Sequence, residues 1–191
     1  MKKSFLTLAL LAGTILSLSA ADLKLPIYWK AKISKTPGKY QTLAFAYKAD
    51  KENMYFAYQI HELGDLIRED NPTMACYFNT DNDIKTGRFP KACGWDMQFN
   101  IRLHLNTPAV VRWIGNKGIT VKYKKGEVTT RISGDIYLIT IKKSVLKDFT
   151  FKDKMVARAF QGYKNQKIKI VGMERGIVTA GKNLGELVIK D

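Results

Sequence analysis

The chain has 191 residues, of which 26% are charged, and its formal net charge at pH 7 is +15. This length is enough to bury a sizeable core within one domain, and two cysteines are too few for a small disulfide-dense fold. Beyond the first twenty residues, no apolar run approaches the roughly 20 residues that a membrane-spanning helix needs. An integral helical membrane protein is therefore not expected.

The N-terminus predicts a secretory signal peptide. Two lysines precede an uncharged run of about 14 residues from Phe5 to Leu18, and small residues follow it at the expected cleavage point. We expect residues 1–20 to be removed on export and residues 21–191 to form a single mature domain, in the periplasm or outside the cell. A nucleic-acid partner is not expected in these compartments.

Short runs of β-branched and aromatic residues recur along the chain between Gly, Pro, Asn and Asp, and such runs are typical of strands. They cover Thr42–Ala49, Met54–Ile60, Met74–Asn79, Trp95–Leu105, Ala109–Ile114, Gly118–Tyr123, Val128–Ile132, Ile136–Ile141, Met155–Phe160, Ile168–Val171 and Leu184–Ile189. Helical signals are confined to Glu62–Glu69 and Ser144–Lys147. The predicted fold class is all-β: an antiparallel sandwich, immunoglobulin- or jelly-roll-like, with at most one or two short helices.

The segment from Trp95 to Leu105 shows the clearest alternation. Because successive side chains of a strand point to opposite faces, the pattern predicts one buried and one polar face. The predicted buried face holds Trp95, Met97, Phe99, Ile101, Leu103 and Leu105, and the polar face holds Asp96, Gln98, Asn100, Arg102 and His104. Trp95 is therefore expected in the core rather than on a binding surface.

The densest chemistry lies between the third and fourth of these segments. Asn79, Asp81 and Asp83 alternate in a loop, and Asp96 opens the next strand. Ca²⁺ takes six to eight oxygen ligands from carboxylates, amides, backbone carbonyls and water, which such a loop supplies. An EF-hand is excluded, because a loop starting at Asn79 lacks Gly at its sixth position and Glu at its twelfth. The alternative is a solvated turn, since Asp and Asn are common turn formers.

This segment also carries a resemblance to a known family. Residues 77–83, followed by Thr86-Gly87 and then by Gly94-Trp95-Asp96, resemble the central signature of family-nine carbohydrate-binding modules and of related DOMON-like secreted sandwiches. Weaker similarities extend over most of the mature chain, but only residues 76–96 are reasonably specific. The resemblance implies an exported β-sandwich whose activity is carbohydrate recognition without catalysis.

The resemblance further implies a structural Ca²⁺. Its ligands carry over onto Asp81, Asp83 and Asp96. Asn79 stands where the family usually has an Asp, so one oxygen is kept while one negative charge is lost. We therefore expect Asn79 to complete the site and the affinity for calcium to be lower than with four carboxylates.

Cys76 and Cys93 flank the loop. In an oxidising compartment an isolated pair on neighbouring strands is most often a disulfide. It would close a loop of about 17 residues and add on the order of 3 kcal/mol of stability in the chain-entropy model. Two free thiols or a metal pair remain the alternatives.

Sugar recognition needs an aromatic surface with planar polar groups beside it. Trp113 with its neighbour Arg112, and Trp29 near the mature N-terminus, are the candidate ligand-binding residues, although Trp29 is equally compatible with the core. No nucleophile or carboxylate pair is recognisable beside His61 or His104. An enzyme is therefore not predicted.

Two other functions stay open at this point. Some related sandwiches hold a b-type haem through Met, His or Lys, so a periplasmic electron-transfer protein is one alternative. The candidate haem ligands are Met74, Met97, Met155, Met173, His61 and His104. A non-catalytic envelope or assembly protein is the other alternative. The positive charge would attract anionic partners such as acidic polysaccharides, or simply keep the exported protein soluble.

Overall fold

The computed structural model describes residues 22–32, 36–88, 94–105, 108–152, 154–162, the backbone of 170–179, and 183–190. Their strands are β1 (Leu23–Lys30), β2 (Thr42–Ala49), β3 (Asn53–Ile60), β4 (Thr73–Asn79), β5 (Met97–Arg102), β6 (Ala109–Ile114), β7 (Lys117–Thr120), β8 (Val128–Ser133), β9 (Ile136–Lys142), β10 (Lys154–Gly162), β11 (Ile170–Thr179) and β12 (Glu186–Ile189). One α-helix, α1 (Leu63–Arg68), and a 3₁₀ helix, Lys143–Leu146, interrupt them.

The strands form two antiparallel sheets. Sheet 1 has the order β12-β1-β2-β3-β9-β8, and sheet 2 has the order β11-β10-β4-β5-β6-β7. The all-β sandwich predicted from alternation is confirmed, and so is the scarcity of helix. The candidate loop joins β4 to β5, two neighbouring strands in the middle of sheet 2, so its ends are fixed by the ladder between them.

The main core lies between the sheets and is rich in phenylalanine. Phe45 and Phe56 from sheet 1 meet Phe78 and Phe99 from sheet 2, with ring centroids 5.1 to 6.0 Å apart between the sheets. All four rings are fully buried. Tilted and edge-on aromatic pairs at this separation add favourable energy beyond the area they bury. This packing holds β4 and β5 rigidly beneath the candidate loop.

A second, smaller core lies on the opposite face of sheet 1. Ala46, Ala57 and Leu138 alternate with the residues of the main core and form one buried cluster with Leu187 and Ile189 of β12. β12 and the first half of β1, at the edge of sheet 1, bend over this face, and the small alanine side chains leave room for them. Part of the outer face of sheet 1 is therefore buried.

The structure corrects two details of the sequence-based assignment. β1 was not predicted: its first half pairs with β12 and its second half with β2, with an irregularity between Ile27 and Trp29. Strand β5 is shorter than the alternating segment, because Leu103 to Leu105 form a turn and Leu105 is 52% exposed. The alternation of apolar and polar residues in the sequence thus continues beyond Arg102, the last residue of β5.

The predicted signal peptide, residues 1–20, lies outside the described residues, so it stays a prediction. Within the part of the chain that the structure describes, no helix has the length and apolarity to cross a bilayer.

Candidate functional site

The loop between β4 and β5 folds back on itself at two glycines. Gly87 and Gly94 both have positive φ, +64° and +59°, which side-chain-bearing residues rarely adopt. A Cβ on Gly87 would lie 2.1 Å from the Trp95 carbonyl oxygen, and one on Gly94 would lie 2.4 Å from that of Asp83. The two glycines of the family-like signature are thus needed because backbone meets backbone there.

Asp96 fastens the start of this loop to β5. Its carboxylate accepts hydrogen bonds from the Thr80 amide at 3.0 and 3.1 Å and from the Thr80 hydroxyl at 2.7 Å. The Asp81 amide donates to the same carboxylate at 3.3 Å. Burial raises the pKa of Asp96, the hydrogen bonds from Thr80 oppose that shift, and the nearby charge of Asp81 adds to it.

Asp81 and Asp83 shape the tip of the loop. The Asp81 carboxylate accepts from the Asp83 amide at 2.9 Å and from the Thr86 hydroxyl at 2.9 Å. The Asp83 carboxylate accepts from the Lys85 amide at 2.8 Å, and its side chain is exposed. These short-range contacts are typical of Asx turns.

The four predicted metal ligands are therefore only partly brought together. Asp81 and Asp96 line one cleft, Asp83 does not line it, and Asn79 is buried at the end of β4. Among the described residues, no group of three or more His, Cys, Asp or Glu side chains is arranged to hold a metal ion. Asp81 and Asp96 are the two predicted ligands that share a cleft, and the four-ligand calcium site stays a prediction.

A cleft of about 320 Å³ opens beside this loop, and we call it the loop cleft. It is lined by Asp81, Thr86 and Asp96 from the loop region, by Arg112 and Trp113 from β6, and by Asp148 after the 3₁₀ helix. Two of the three predicted ligand-binding residues thus meet two of the predicted metal residues at one place. A cleft of this size is within the usual range for small-molecule sites.

Trp113 is held firmly at the edge of the cleft. Its indole N–H donates to the Gln98 side chain at 2.9 Å, and the Arg88 guanidinium lies 4.5 Å from its ring centre. A Cβ on Gly118 would be 3.0 Å from the ring, so any larger residue at this position on β7 would require the indole to shift by a few tenths of an ångström. The ring is partly exposed and rigidly placed, which suits a surface that contacts a ligand.

The other two tryptophans lie elsewhere. Trp29 packs against the main core from β1 and does not line the loop cleft. Trp95 is buried, as predicted, but it lies 6.1 Å from the ring of Tyr77. Tyr77 is the register partner of Gln98, so Trp95 packs with the polar face of β5 rather than with Met97. The predicted face was wrong because the chain departs from regular strand pairing at Asp96.

Sequence reasoning missed several residues of the cleft. Asp148 reaches it from the segment after the 3₁₀ helix, and its carboxylate lies 4.0 Å from the Arg112 guanidinium. Thr86 was recognised only as part of the signature, yet its hydroxyl donates a hydrogen bond to the Asp81 carboxylate. No local sequence pattern marks Asp148, because only the tertiary fold brings it close to β6.

Cys76 lies on the inner face of β4 as a free, fully buried thiol. Burial raises the pKa of this thiol to about 12. Cys93 lies outside the described residues, so the disulfide stays a prediction.

The candidate haem ligands whose side chains the structure describes do not line the loop cleft. Met74 and Met97 are buried in the main core, and neither lines the loop cleft. His104 is exposed in the turn after β5, while the His61 imidazole lies 3.7 Å from the Glu62 carboxylate. Their surroundings are those of core methionines and surface histidines.

Comparison of the chain with protein-family models, with curated proteins and with solved structures finds no match. The class of protein is thus defined by its own fold and cleft alone: it is an all-β sandwich with a small open cleft beside the loop between β4 and β5.

Proposed function

We propose that this chain is a non-catalytic carbohydrate-binding protein that recognises sugar at the loop cleft. The observation that carries the proposal is the meeting of Arg112 and Trp113 with Asp81 and Asp96 around one cleft. Glycan sites combine aromatic surface with a few fixed polar groups that hydrogen-bond hydroxyls. The predicted signal peptide is consistent with this role, because glycans are abundant outside the cytoplasm.

The polar groups around the cleft are fixed before any ligand arrives. Hydrogen bonds from Thr80 and Thr86 orient the carboxylates of Asp96 and Asp81, and the bond to Gln98 orients the indole of Trp113. Side chains that are already ordered lose little conformational entropy on binding. This preorganisation supports a recognition site whose chemistry is hydrogen bonding and apolar contact.

The test is retention of the mature protein on a panel of immobilised polysaccharides. We expect retention on at least one polysaccharide, and Trp113→Ala and Arg112→Ala to weaken it about tenfold or more, as for central contacts of an interface. Arg102→Ala, an exposed arginine outside the cleft, is the matched control and should leave retention unchanged. If no polysaccharide retains the protein, the sugar proposal fails and an envelope-associated structural role takes its place.

We further propose that Ca²⁺ binds weakly at Asp81 and Asp96. These two carboxylates face one cleft, and further oxygens would have to come from backbone, from Thr86 or from water. Both carboxylates already accept hydrogen bonds from amides and hydroxyls. The small number of charged ligands predicts low affinity. A bound ion would supply charge neutralisation and stiffen the loop.

Thermal melting with calcium and with a chelator tests this second proposal. We expect calcium to raise the melting temperature of the unmodified chain, because a ligand that binds only the folded state stabilises it. Asp81→Ala should abolish the difference, whereas Asp83→Ala should keep it, since Asp83 lies outside the cleft. A melting temperature that is the same with chelator and with calcium would falsify the calcium site.

A further inference from the structure

A second cleft continues the loop cleft on the far side of an ion pair. It has a volume of about 380 Å³ and is lined in part by Ile119 and Lys122 from the β7 side and by Lys147 from the 3₁₀ side. Arg112 and Asp148 line both clefts. The two clefts are therefore neighbours that share one boundary.

That boundary is weak. The Arg112 guanidinium and the Asp148 carboxylate are 4.0 Å apart, and their side chains are 39% and 59% exposed. An exposed ion pair of this kind contributes about 0–1 kcal/mol, so little is lost when both groups turn to other partners. Sugar hydroxyls can accept from the guanidinium and donate to the carboxylate, which makes this pair a suitable contact at the middle of a groove.

The charges around the two clefts balance, although the whole chain is strongly basic. The acidic side chains are Asp81, Asp96, Glu127 and Asp148, and the basic ones are Lys85, Arg112, Lys122 and Lys147. An anionic sugar would meet as many carboxylates as cations along this path. The lining favours hydroxyl groups over carboxylate or sulfate groups as ligands.

We propose that the two clefts form one groove, which binds an uncharged glycan chain along its length rather than at its end. This inference rests on the proposed carbohydrate recognition and adds to it the ligand's charge and its mode of binding. One sugar unit lies in each cleft, and Arg112 and Asp148 contact a further unit between them, so a disaccharide reaches only one of the two clefts. The apolar side chain of Ile119, 41% exposed, supplies apolar contact in the second cleft.

The experiment measures the affinity of the mature protein for cello-, manno- and xylo-oligosaccharides of two to six units by calorimetry. For the series that binds, we expect the hexasaccharide to bind at least about tenfold more tightly than the disaccharide, because it fills both clefts. Chemical reduction of its terminal sugar should leave that affinity unchanged. Thr120→Trp, which fills the second cleft, should lower hexasaccharide affinity to the disaccharide level, while Thr129→Trp on β8 should not.

Each other outcome has a distinct meaning. If the disaccharide binds as tightly as the hexasaccharide, or if reduction of the end abolishes binding, the groove is wrong while sugar recognition stands. Tighter binding of oligouronates than of these neutral series would overturn the uncharged ligand. Absence of binding to oligosaccharides and polysaccharides of both kinds would overturn the proposed function itself. The length dependence in the unmodified chain decides the question even if Thr120→Trp is unstable.

Discussion

At the scale of single residues, Asp96 links β5 to the candidate loop. Its carboxylate faces the amide and hydroxyl of Thr80 and the amide of Asp81. Asp96→Ala leaves these partly buried donors without their acceptor, so we expect the free energy of unfolding to fall by about 1–3 kcal/mol. Urea unfolding measures the change. An unchanged unfolding midpoint would show that the loop closes without this carboxylate.

The same residue predicts a dependence on pH. Since burial raises the pKa of Asp96 above its ordinary value of 3.8, the folded chain binds this proton more tightly than the unfolded chain. The contribution of Asp96 to stability is therefore greatest below that ordinary value and declines as the pH rises through the raised pKa. The difference in unfolding free energy between the unmodified chain and Asp96→Ala should therefore shrink as the pH rises above the ordinary carboxyl value. A difference that grows with pH would contradict the direction of the shift.

Gly118 gives a second residue-scale prediction. Because a Cβ there would lie 3.0 Å from the ring of Trp113, Gly118→Ala should displace the indole. We expect a loss of about 1 kcal/mol of stability, as for mild overpacking, together with weaker retention on the polysaccharide that binds. Gly162→Ala is the control, since its Cβ would meet Thr73 at an ordinary 3.9 Å. Retention as strong as that of the control would mean that the exact position of Trp113 does not matter.

At the scale of elements, β12 closes the second core. Ile189 is fully buried, whereas Val188, the next residue back along the strand, is 39% exposed. Arg131 on β8 also donates to the backbone carbonyls of Ile189 and Lys190, at 3.3 and 2.6 Å. We expect Ile189→Ala to lower the unfolding free energy by about 2–5 kcal/mol. Val188→Ala should change it by less than about 0.5 kcal/mol, and equal losses would contradict the placement of β12.

The strands were predictable where side-chain alternation follows hydrogen bonding, and they were missed where it does not. β2 and β6 match their predicted bounds, because Gly, Pro, Asn or Asp turns end them on both sides. β1 was missed because it contains Pro26 and two lysines, and because its two halves pair with different strands. No regular alternation of apolar and polar residues therefore marks it. Alternation also assigned Trp95 to the wrong face, because regular pairing breaks at Asp96.

The candidate site was predictable only as far as local sequence reaches. The signature placed Asp81 and Asp96 together, and Arg112 and Trp113 were selected for their chemistry. The convergence of these four residues on one cleft follows from the order of strands in sheet 2, and Asp148 reaches it from the segment after the 3₁₀ helix; sequence spacing encodes neither. Metal ligation by Asp83 stays a prediction; its carboxylate accepts a hydrogen bond from the Lys85 amide and lies outside the loop cleft, which the alternation of oxygens did not indicate.

At the scale of the whole molecule, the excess positive charge lies outside the proposed sugar-binding groove. The chain carries a net charge of +15, while the two clefts have balanced linings. Long-range attraction to anionic surfaces would therefore come from lysines outside the groove, whereas the proposed contact with sugar would take place inside it. The two kinds of binding should respond differently to salt, because exposed charges are screened over a Debye length of about 10 Å at 0.1 M.

Salt titration of binding measures this separation. We expect adsorption to an acidic polysaccharide to fall at least about tenfold when sodium chloride is raised from about 0.05 M to about 0.5 M, whereas affinity for an uncharged oligosaccharide changes less than about twofold. Lys48→Glu with Lys154→Glu, two exposed positions outside both clefts, should weaken only the acidic adsorption. If affinity for the uncharged ligand fell with salt in parallel, the groove and the basic surface would be one site, and the balanced lining would not determine its ligand.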